Sequence, residues 1–299
     1  MQQHPGLRFL HDHPEFKEAY VRTVAARVCF AVAGPGQSAI RWPAWRASRL
    51  TDVLFALQDE ADINAAADYF SYNDFYVVWC LFWELDEDED GLLSAEDLAR
   101  YGNYALSLRA VARAMAMRTE REPEAAAPAA DGKGPGKGGP EGPRMGYHDF
   151  VRFVVAEEDK ASPSSMRYWF HCLDVDGDGV LSREDLFWFY EEQHTRLVEL
   201  GEEPIPMAEL FNELHDMICP AAPNRFTLQE LRASGLGPQA VDALVNVRKL
   251  LAWEGLACQK AAGRANHLRN TRDWDVTMEA HYKRLVDAEE EQQTAESES

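Results

Sequence analysis

Apolar residues recur at helical spacing along much of this chain of 299 residues. In residues 15–33 they fall four apart on one face of a helix, at Phe16, Tyr20, Val24 and Val28. The run FYVVWCLFW, residues 75–83, is apolar throughout, and nine residues are too few to span a bilayer, which takes about 20 in a helix. We interpret this run as a buried helix rather than an interaction stripe. The pattern predicts a mainly α-helical protein.

Two acidic segments interrupt the helical pattern, and they are nearly the same sequence. Residues 86–98 read DEDEDGLLSAEDL, and residues 174–186 read DVDGDGVLSREDL. Each has carboxylates at positions 1, 3 and 5, a glycine at position 6 that lets the backbone turn sharply, and an apolar residue at position 8. Oxygen donors at this spacing serve a hard cation with six or seven ligands, as in the calcium loop of an EF-hand.

Six positions in each loop are candidate metal ligands. In the first loop, residues 86–97, they are Asp86, Asp88, Asp90, the carbonyl of Leu92, Ser94 and Asp97. In the second loop, residues 174–185, they are Asp174, Asp176, Asp178, the carbonyl of Val180, Ser182 and Asp185. Both loops close with Asp at position 12, which is one methylene shorter than the usual Glu. We therefore expect calcium to bind with reduced affinity and magnesium to compete, because magnesium tolerates six ligands.

The sequences beside the loops indicate helix–loop–helix units. Phe82 and Leu85 precede the first loop at the same two places as Phe170 and Leu173 precede the second. EF-hands work in pairs, and half-motifs without ligands recur at residues 39–54, 70–79, 145–154 and 225–231. We expect these to be the partners of the metal loops. The predicted fold is mainly α, an elongated array of EF-hand and EF-hand-like helix–loop–helix units with short paired loop strands.

Composition divides the chain into two halves. Residues 122–143, rich in Ala, Pro and Gly, offer almost nothing to a core and predict a disordered linker. It separates an N-terminal half, residues 1–121, from a C-terminal half, residues 144–286, and the acidic tail 287–299 is also predicted to be disordered. Three linker glycines match G-x-G-x-x-G, but no strand precedes them and no helix follows, which excludes a nucleotide site.

Charge and motif content restrict the function classes. The formal net charge of −21 argues against a nucleic-acid surface or an anionic membrane as partner, and favours cations and basic partners. Membrane insertion is not expected either, because the longest apolar run has only nine residues. The five cysteines are odd in number and widely spaced, which predicts buried free thiols in a reducing compartment. The first residues lack the apolar region of a signal peptide, so a cytoplasmic address is expected. No hydrolase elbow, P-loop, zinc-protease or kinase motif is present, so the chain is not expected to be an enzyme.

Five longer blocks of sequence carry a resemblance to a known family. They are FLHDHPEFKEAY (9–20), ADINAAADYFSYNDFYVVWCLFWELD (61–86), ARYGNYALSLR (99–109), MGYHDFVRFVVAEEDK (145–160) and YWFHCLDVDGDGVLSREDLFWFYEEQ (168–193). Together they resemble the B″ regulatory subunits of protein phosphatase 2A. The first and third blocks look closest to the FASS/TONNEAU branch, which organises cortical microtubules before plant cell division.

The resemblance implies a calcium-binding regulatory subunit that docks on the scaffold and catalytic subunits of the phosphatase. Such a subunit would direct the choice or location of protein substrates, in the cytoplasm and in association with the cytoskeleton or the centrosome. Two alternatives stay open, a free EF-hand calcium sensor and a cytoskeletal scaffold that acts without phosphatase. The aromatic helices beside the loops are expected to offer part of their surface to a partner. The sequence leaves open which loop binds calcium more tightly.

Overall fold

Helices form most of the chain in the computed structural model, which describes residues 4–60, 62–65, 68–119, 142–261 and 273–297. A 3-10 helix, Pro5–Asp12, comes first. The α-helices are α1 Pro14–Ala33, α2 Trp42–Ala47, α3 Leu50–Asp59, α4 Tyr72–Leu85, α5 Ala95–Ala99, α6 Leu108–Ala116, α7 Tyr147–Glu158, α8 Pro163–Leu173, α9 Arg183–Glu199, α10 Met207–Ile218, α11 Leu228–Ser234, α12 Gly237–Val245, α13 Val247–Ala261 and α14 Asp273–Ser297. The strands are β1 Leu92–Leu93, β2 Met145–Gly146, β3 Leu181–Ser182 and β4 Arg225–Phe226. The predicted mainly α fold is confirmed.

Each acidic loop is paired with the strand of a half-motif that has no metal ligands. Strand β1 runs antiparallel to β2, with Leu93 opposite Met145, and β3 runs antiparallel to β4, with Leu181 opposite Phe226. Both leucines occupy loop position 8 and are buried. The half-motifs at 145–154 and 225–231 are therefore the partners of the first and second loops, as predicted.

The other two predicted half-motifs have different structures. Residues 39–54, all of them described, contain α2 and α3 and no strand. Pro43 lies in the first turn of α2, where no intrahelical hydrogen bond needs its missing N–H. In a paired strand the same residue would leave out an inter-strand hydrogen bond, so this segment forms a helix. Residues 70–79 begin α4, which leads into the first loop, and the Ser71 hydroxyl caps it by accepting the Asp74 N–H at 3.1 Å.

The hydrophobic core is continuous between the two halves of the chain. Its largest fully buried side chains include Phe82 from before the linker and Phe150, Trp169 and Phe189 from after it. The rings of Phe82 and Tyr147 meet edge to face at 5.3 Å. A second cluster packs the N-terminal 3-10 helix and α1 against Phe75. The apolar run 75–83 thus lies in a buried helix, as interpreted from its length.

The C-terminal helix α14 packs against α4 and α7. The Trp274 indole N–H donates to Asp74 at 2.9 Å, and the Tyr76 hydroxyl donates to Glu289 at 2.7 Å. The prediction of a disordered tail at 287–299 is therefore wrong as far as Ser297, where α14 ends. Glu, Gln and Ala, which dominate this segment, have high helix propensity, and contact with α4 adds to it. The predicted linker, 122–143, lies outside the described residues except for its last two positions.

A buried cluster of charged groups, here called the Glu157 cluster, joins α7 to α12 and α13. The fully buried Glu157 carboxylate contacts the Lys160 ammonium, lies 3.0 Å from the Lys249 ammonium and accepts from the Asn246 amide at 2.7 Å. Lys160 also lies 2.9 Å from Asp242. Burial alone would raise the pKa of Glu157, but the two lysines outweigh burial and hold that pKa below its usual value.

The cysteines only partly follow the prediction of buried thiols. Cys172 is buried, Cys29 and Cys80 are half-buried and Cys219 is exposed, and all four of these are free. Burial raises the pKa of the Cys80 thiol to about 11, so it is protonated at neutral pH. None of the described helices combines the length and the apolar character that a membrane crossing requires.

Candidate metal centre

Each acidic loop gathers three carboxylates at one point. The ligand oxygens of the three lie within 4.8 Å of one another in both loops, and they belong to Asp86, Asp88 and Asp90 in the first and to Asp174, Asp176 and Asp178 in the second. These are the predicted ligands at positions 1, 3 and 5. Three carboxylates at this distance repel one another unless a cation lies between them, so the donor set fits a hard divalent ion.

The aspartate at position 1 holds the turn of each loop. Asp86 accepts the Gly91 N–H at 2.8 Å and the Asp90 N–H at 3.2 Å. Asp174 accepts the N–H groups of Gly177, Asp178 and Gly179, at 2.8, 3.2 and 2.9 Å. These bonds orient the carboxylate before any metal arrives.

The position-6 glycines make the sharp backbone turn that the sequence predicts. Gly91 and Gly179 have φ values of 78° and 83°, in the left-handed region that side chains with a Cβ avoid. Position 4 differs between the loops, because Gly177 has φ 75° whereas Glu89 is held at φ 54° despite its side chain. The first loop therefore carries backbone strain that the second does not.

The electrostatics of the first loop favour an added cation. Burial raises the pKa of Asp86 to about 6, and the hydrogen bond from the Gly91 N–H opposes that rise. That value of about 6 includes the effect of Asp88, through a side-chain hydrogen bond and its charge, and of the Asp90 charge, because neighbouring negative charges disfavour ionisation. A divalent cation would remove both the burial penalty and the repulsion.

Position 12 of each loop is also the third residue of the helix that leaves it. One oxygen of Asp185 accepts both the N–H and the hydroxyl of Ser182, at 2.8 and 2.6 Å, and the Ser182 hydroxyl caps α9. Asp97 and Ser94 form the same capping box at the start of α5, at 2.8 and 2.7 Å. The capping boxes leave only Oδ1 of each closing aspartate unused, and neither Asp97 nor Asp185 belongs to the carboxylate trio of its loop.

The remaining predicted ligands lie at positions 7 and 9. The N–H groups of Leu92 and Val180 bond to the position-5 aspartates at 2.8 and 2.9 Å, and the carbonyls of these two residues are the ligand candidates. Ser94 and Ser182 at position 9 act as helix caps. The assignment of all twelve positions as metal ligands stays a prediction.

Two arginines that sequence reasoning missed lie against the carboxylates of the first loop. Arg144 lies 3.0 Å from the Asp90 carboxylate. Arg100 donates to Asp97 at 2.9 Å and to the Leu85 carbonyl at 2.6 Å. Arg100 follows Asp97 by three residues and caps the C-terminal end of α5, so the spacing of this pair can be read from the sequence. Arg144 is remote in sequence, and only the pairing of β1 with β2 brings it to the loop.

Lengthening the closing side chain is expected to tighten the second loop. Asp185→Glu should lower the dissociation constant for calcium by about tenfold, within the range of ~10⁻⁷ to 10⁻⁵ M that sensor-type loops span. Glu can offer both oxygens from the same helix position, whereas one Asp185 oxygen is committed to Ser182. Calorimetric titration with calcium measures the change. Glu184→Asp, a change of one methylene at a non-ligand position, is the control, and equal effects of the two variants would contradict the assignment.

Comparison with known families agrees with the loop geometry. A family model described as an EF-hand domain matches residues 1–60, and a second described as an EF hand matches residues 166–186. The second range contains the whole of the second calcium loop. The first loop, residues 86–97, lies outside both ranges.

Similar proteins extend over nearly the whole chain. The human B″ alpha regulatory subunit of serine/threonine-protein phosphatase 2A is 40% identical over 293 residues, which cover 97% of this chain and 24% of that protein. The mouse B″ delta regulatory subunit is 39% identical over 85% of this chain and 49% of its own length. The chain thus spans about a quarter to a half of the length of these relatives.

The predicted branch of the family requires a correction. The Arabidopsis B″ regulatory subunit TON2 is 26% identical over 84% of this chain, well below the human and mouse proteins. The likeness to the FASS/TONNEAU branch is therefore distant. Short blocks such as residues 9–20 and 99–109 are too few residues to separate branches that share the same loops and helices.

A solved structure shares both fold and sequence with the chain. It is described as "PP2A PR70 Holoenzyme" and "diCa", and its matching chain is 39% identical with a TM-score of 0.73. The match covers 84% of this chain and 86% of that one. The chain therefore belongs to the B″ family of protein phosphatase 2A regulatory subunits.

Proposed function

We propose that this chain is a calcium-binding regulatory subunit that assembles with the scaffold and catalytic subunits of protein phosphatase 2A. The observation that carries the proposal is the match to the PR70 holoenzyme chain, which extends over 86% of that chain at 39% identity. Most of that chain therefore has a counterpart in the fold of this one. In this assignment the chain directs the phosphatase to protein substrates, and catalysis belongs to the partner subunit.

The packing around the loops supports a regulatory subunit over a free calcium sensor. Phe82, Phe170 and Phe189, which flank the loops, are buried in the shared core. A sensor instead opens its helix pair to offer an apolar groove to target helices. The main apolar face of these helices is therefore buried within the chain, and the expectation that part of their surface faces a partner stays a prediction. The most exposed large apolar side chains among the described residues are instead Trp42, Leu108, Phe55 and Leu200.

Calcium is the proposed resident ion, and magnesium is its proposed competitor. When bound, the ion would offset two of the three negative charges of each carboxylate trio and fix the angle between the helices on either side of the loop. Asp97 and Asp185 each offer one oxygen, which favours six ligands rather than seven. This lower ligand number is what makes magnesium competitive. An address at the cytoskeleton or centrosome is proposed from the family resemblance alone.

Mixing the purified chain with scaffold and catalytic subunits on a sizing column tests the proposal. We expect co-elution in calcium, weaker co-elution in chelator, altered activity towards a protein substrate, and no phosphatase activity of the chain alone. A chain with Asp86→Asn and Asp174→Asn is the matched control, because it should behave in calcium as the unchanged chain does in chelator. Separate elution in both conditions, with tight binding to amphipathic peptides, would contradict the proposal and favour the sensor.

A further inference from the structure

Each calcium loop is contacted by one arginine from its partner strand or from the residue just before that strand, and the two arginines occupy equivalent positions. The registers of the two strand pairs put Arg144 and Arg225 opposite position 9 of their respective loops. Each reaches the position-5 aspartate, since Arg144 lies 3.0 Å from Asp90 and Arg225 lies 3.6 Å from Asp178. The second loop is thus an internal reference for the first.

The two arginine pairs differ in their exposure to water. The side chains of Arg144 and Asp90 are 18% and 15% exposed, whereas those of Arg225 and Asp178 are 58% and 47% exposed. An exposed ion pair is screened and contributes little, while removal from water strengthens the attraction. The first loop therefore holds its arginine more firmly than the second.

Arg144 occupies atoms that a metal ion would need. Asp90 Oδ1 accepts the Leu92 N–H, which leaves Oδ2, and Oδ2 is the atom that Arg144 contacts. A second nitrogen of Arg144 lies 3.4 Å from the Leu92 carbonyl, the candidate ligand at position 7. One guanidinium thus contacts two of the six predicted ligand positions.

A second arginine acts on the closing aspartate of the first loop. The Oδ1 atom of Asp97, which the capping box leaves unused, accepts from Arg100 at 2.9 Å. In the second loop the equivalent residue is Trp188, and Asp185 Oδ1 accepts the Val175 N–H at 3.1 Å. The positive charge at this place is therefore particular to the first loop.

We propose that Arg144, assisted by Arg100, competes as an internal cation for the ligands of the first loop, so that calcium fills the second loop first. The proposal rests on the calcium binding of the proposed function. Acidic residues alone suggest the opposite order, because Glu87 and Glu89 give the first loop two carboxylates that the second lacks. The arginines reverse that order, since an entering ion must displace one positive charge and approach another.

The order of filling can be measured in the unchanged protein. The N–H groups of Gly91 and Gly179 donate to the position-1 aspartates at 2.8 and 2.9 Å, so their amide resonances report metal at each loop. With ¹⁵N-labelled glycine, the Gly179 resonance should move at about tenfold lower calcium than the Gly91 resonance, the scale of one partly buried ion pair. Simultaneous movement, or Gly91 moving first, overturns the proposal. If neither resonance moves, calcium binding itself is rejected.

A charge-removing variant tests the arginine directly. Arg144→Gln should bring the Gly91 transition to about tenfold lower calcium and leave the Gly179 transition in place. Arg225→Gln, the matched control, should change neither transition by more than about twofold, because that pair is exposed. If Arg144→Gln leaves the calcium affinity of the first loop unchanged or lowers it, the proposal is overturned, and Arg144 instead supports the loop backbone. Should that variant fail to fold, the filling order in the unchanged protein still decides.

Discussion

Replacing Glu157 with glutamine is expected to lower the free energy of unfolding by about 3–5 kcal/mol, the usual cost of removing one partner from a buried ion pair. The Glu157 carboxylate is fully buried and holds two lysines, of which Lys160 is also buried. Glutamine can keep the bond from Asn246 but cannot neutralise either ammonium. Urea denaturation, followed by circular dichroism, measures the loss.

An exposed pair supplies the control for this prediction. Glu18 pairs with Arg22 at 2.8 Å on the surface of α1, and Glu18→Gln should cost less than about 1 kcal/mol. A loss of similar size in Glu157→Gln would show that the Glu157 cluster contributes no net stability.

The effect of Glu157→Gln should also depend on pH. The pKa of Glu157 is lower in the folded chain than in the unfolded chain, because the two lysines outweigh its burial. The carboxylate therefore contributes its stability above the unfolded pKa of about 4.3 and loses it as pH falls through the lower folded value. The difference in free energy of unfolding between the unchanged chain and Glu157→Gln should become smaller below about pH 4.

Asp174→Asn is expected to weaken calcium binding at the second loop by at least about 100-fold. Removing a residue that only hydrogen-bonds to a metal ligand already costs up to about 100-fold in affinity, and Asp174 is a predicted ligand itself. Asp174 carries the position-1 charge and accepts three backbone N–H groups with its two oxygens. Asparagine has one acceptor oxygen, and its amide nitrogen would face an N–H donor. Calorimetric titration measures the loss.

The matched control for Asp174→Asn is the same change at position 3. Asparagine is an accepted ligand there in calcium loops, so Asp176→Asn should weaken binding by no more than about tenfold. Asp176 is exposed, and its Oδ1 accepts the Asp178 N–H at 3.2 Å, whereas Asp174 holds three such groups. A larger loss from Asp176→Asn than from Asp174→Asn would contradict the assignment of position 1.

Features that depend on local spacing could be predicted from the sequence. The trios at positions 1, 3 and 5, the left-handed glycines and the buried leucines at position 8 all follow from one 12-residue pattern. The partner strands β2 and β4 could be predicted as well, because the half-motifs repeat the same apolar spacing after the loop. The capping boxes at Ser94 and Ser182 agree with the serine-to-aspartate spacing of three.

Features that depend on contacts between remote residues could not be predicted. Arg144 reaches Leu92 across 52 positions, and Lys249 reaches Glu157 across 92 positions. No periodic pattern marks a single arginine or lysine as the one that will meet a given carboxylate. The half-motif predicted at residues 39–54 has no strand to pair with a metal loop for a different reason, because proline in a short apolar segment favours the first turn of a helix over a paired strand.

The packing of α14 on α4 has a consequence for the order in which the molecule is made. Trp274 and Glu289 complete contacts with residues 200 and 213 positions earlier. A ribosome that adds about 5–20 residues per second needs roughly 10–40 s to travel that far. For that interval α4 has been synthesised without the helix that packs on it, and the part of the α4 surface that α14 contacts stays uncovered. A premature stop codon ahead of Trp274 would therefore remove packing from α4 in the N-terminal half of the chain, as well as removing α14 itself.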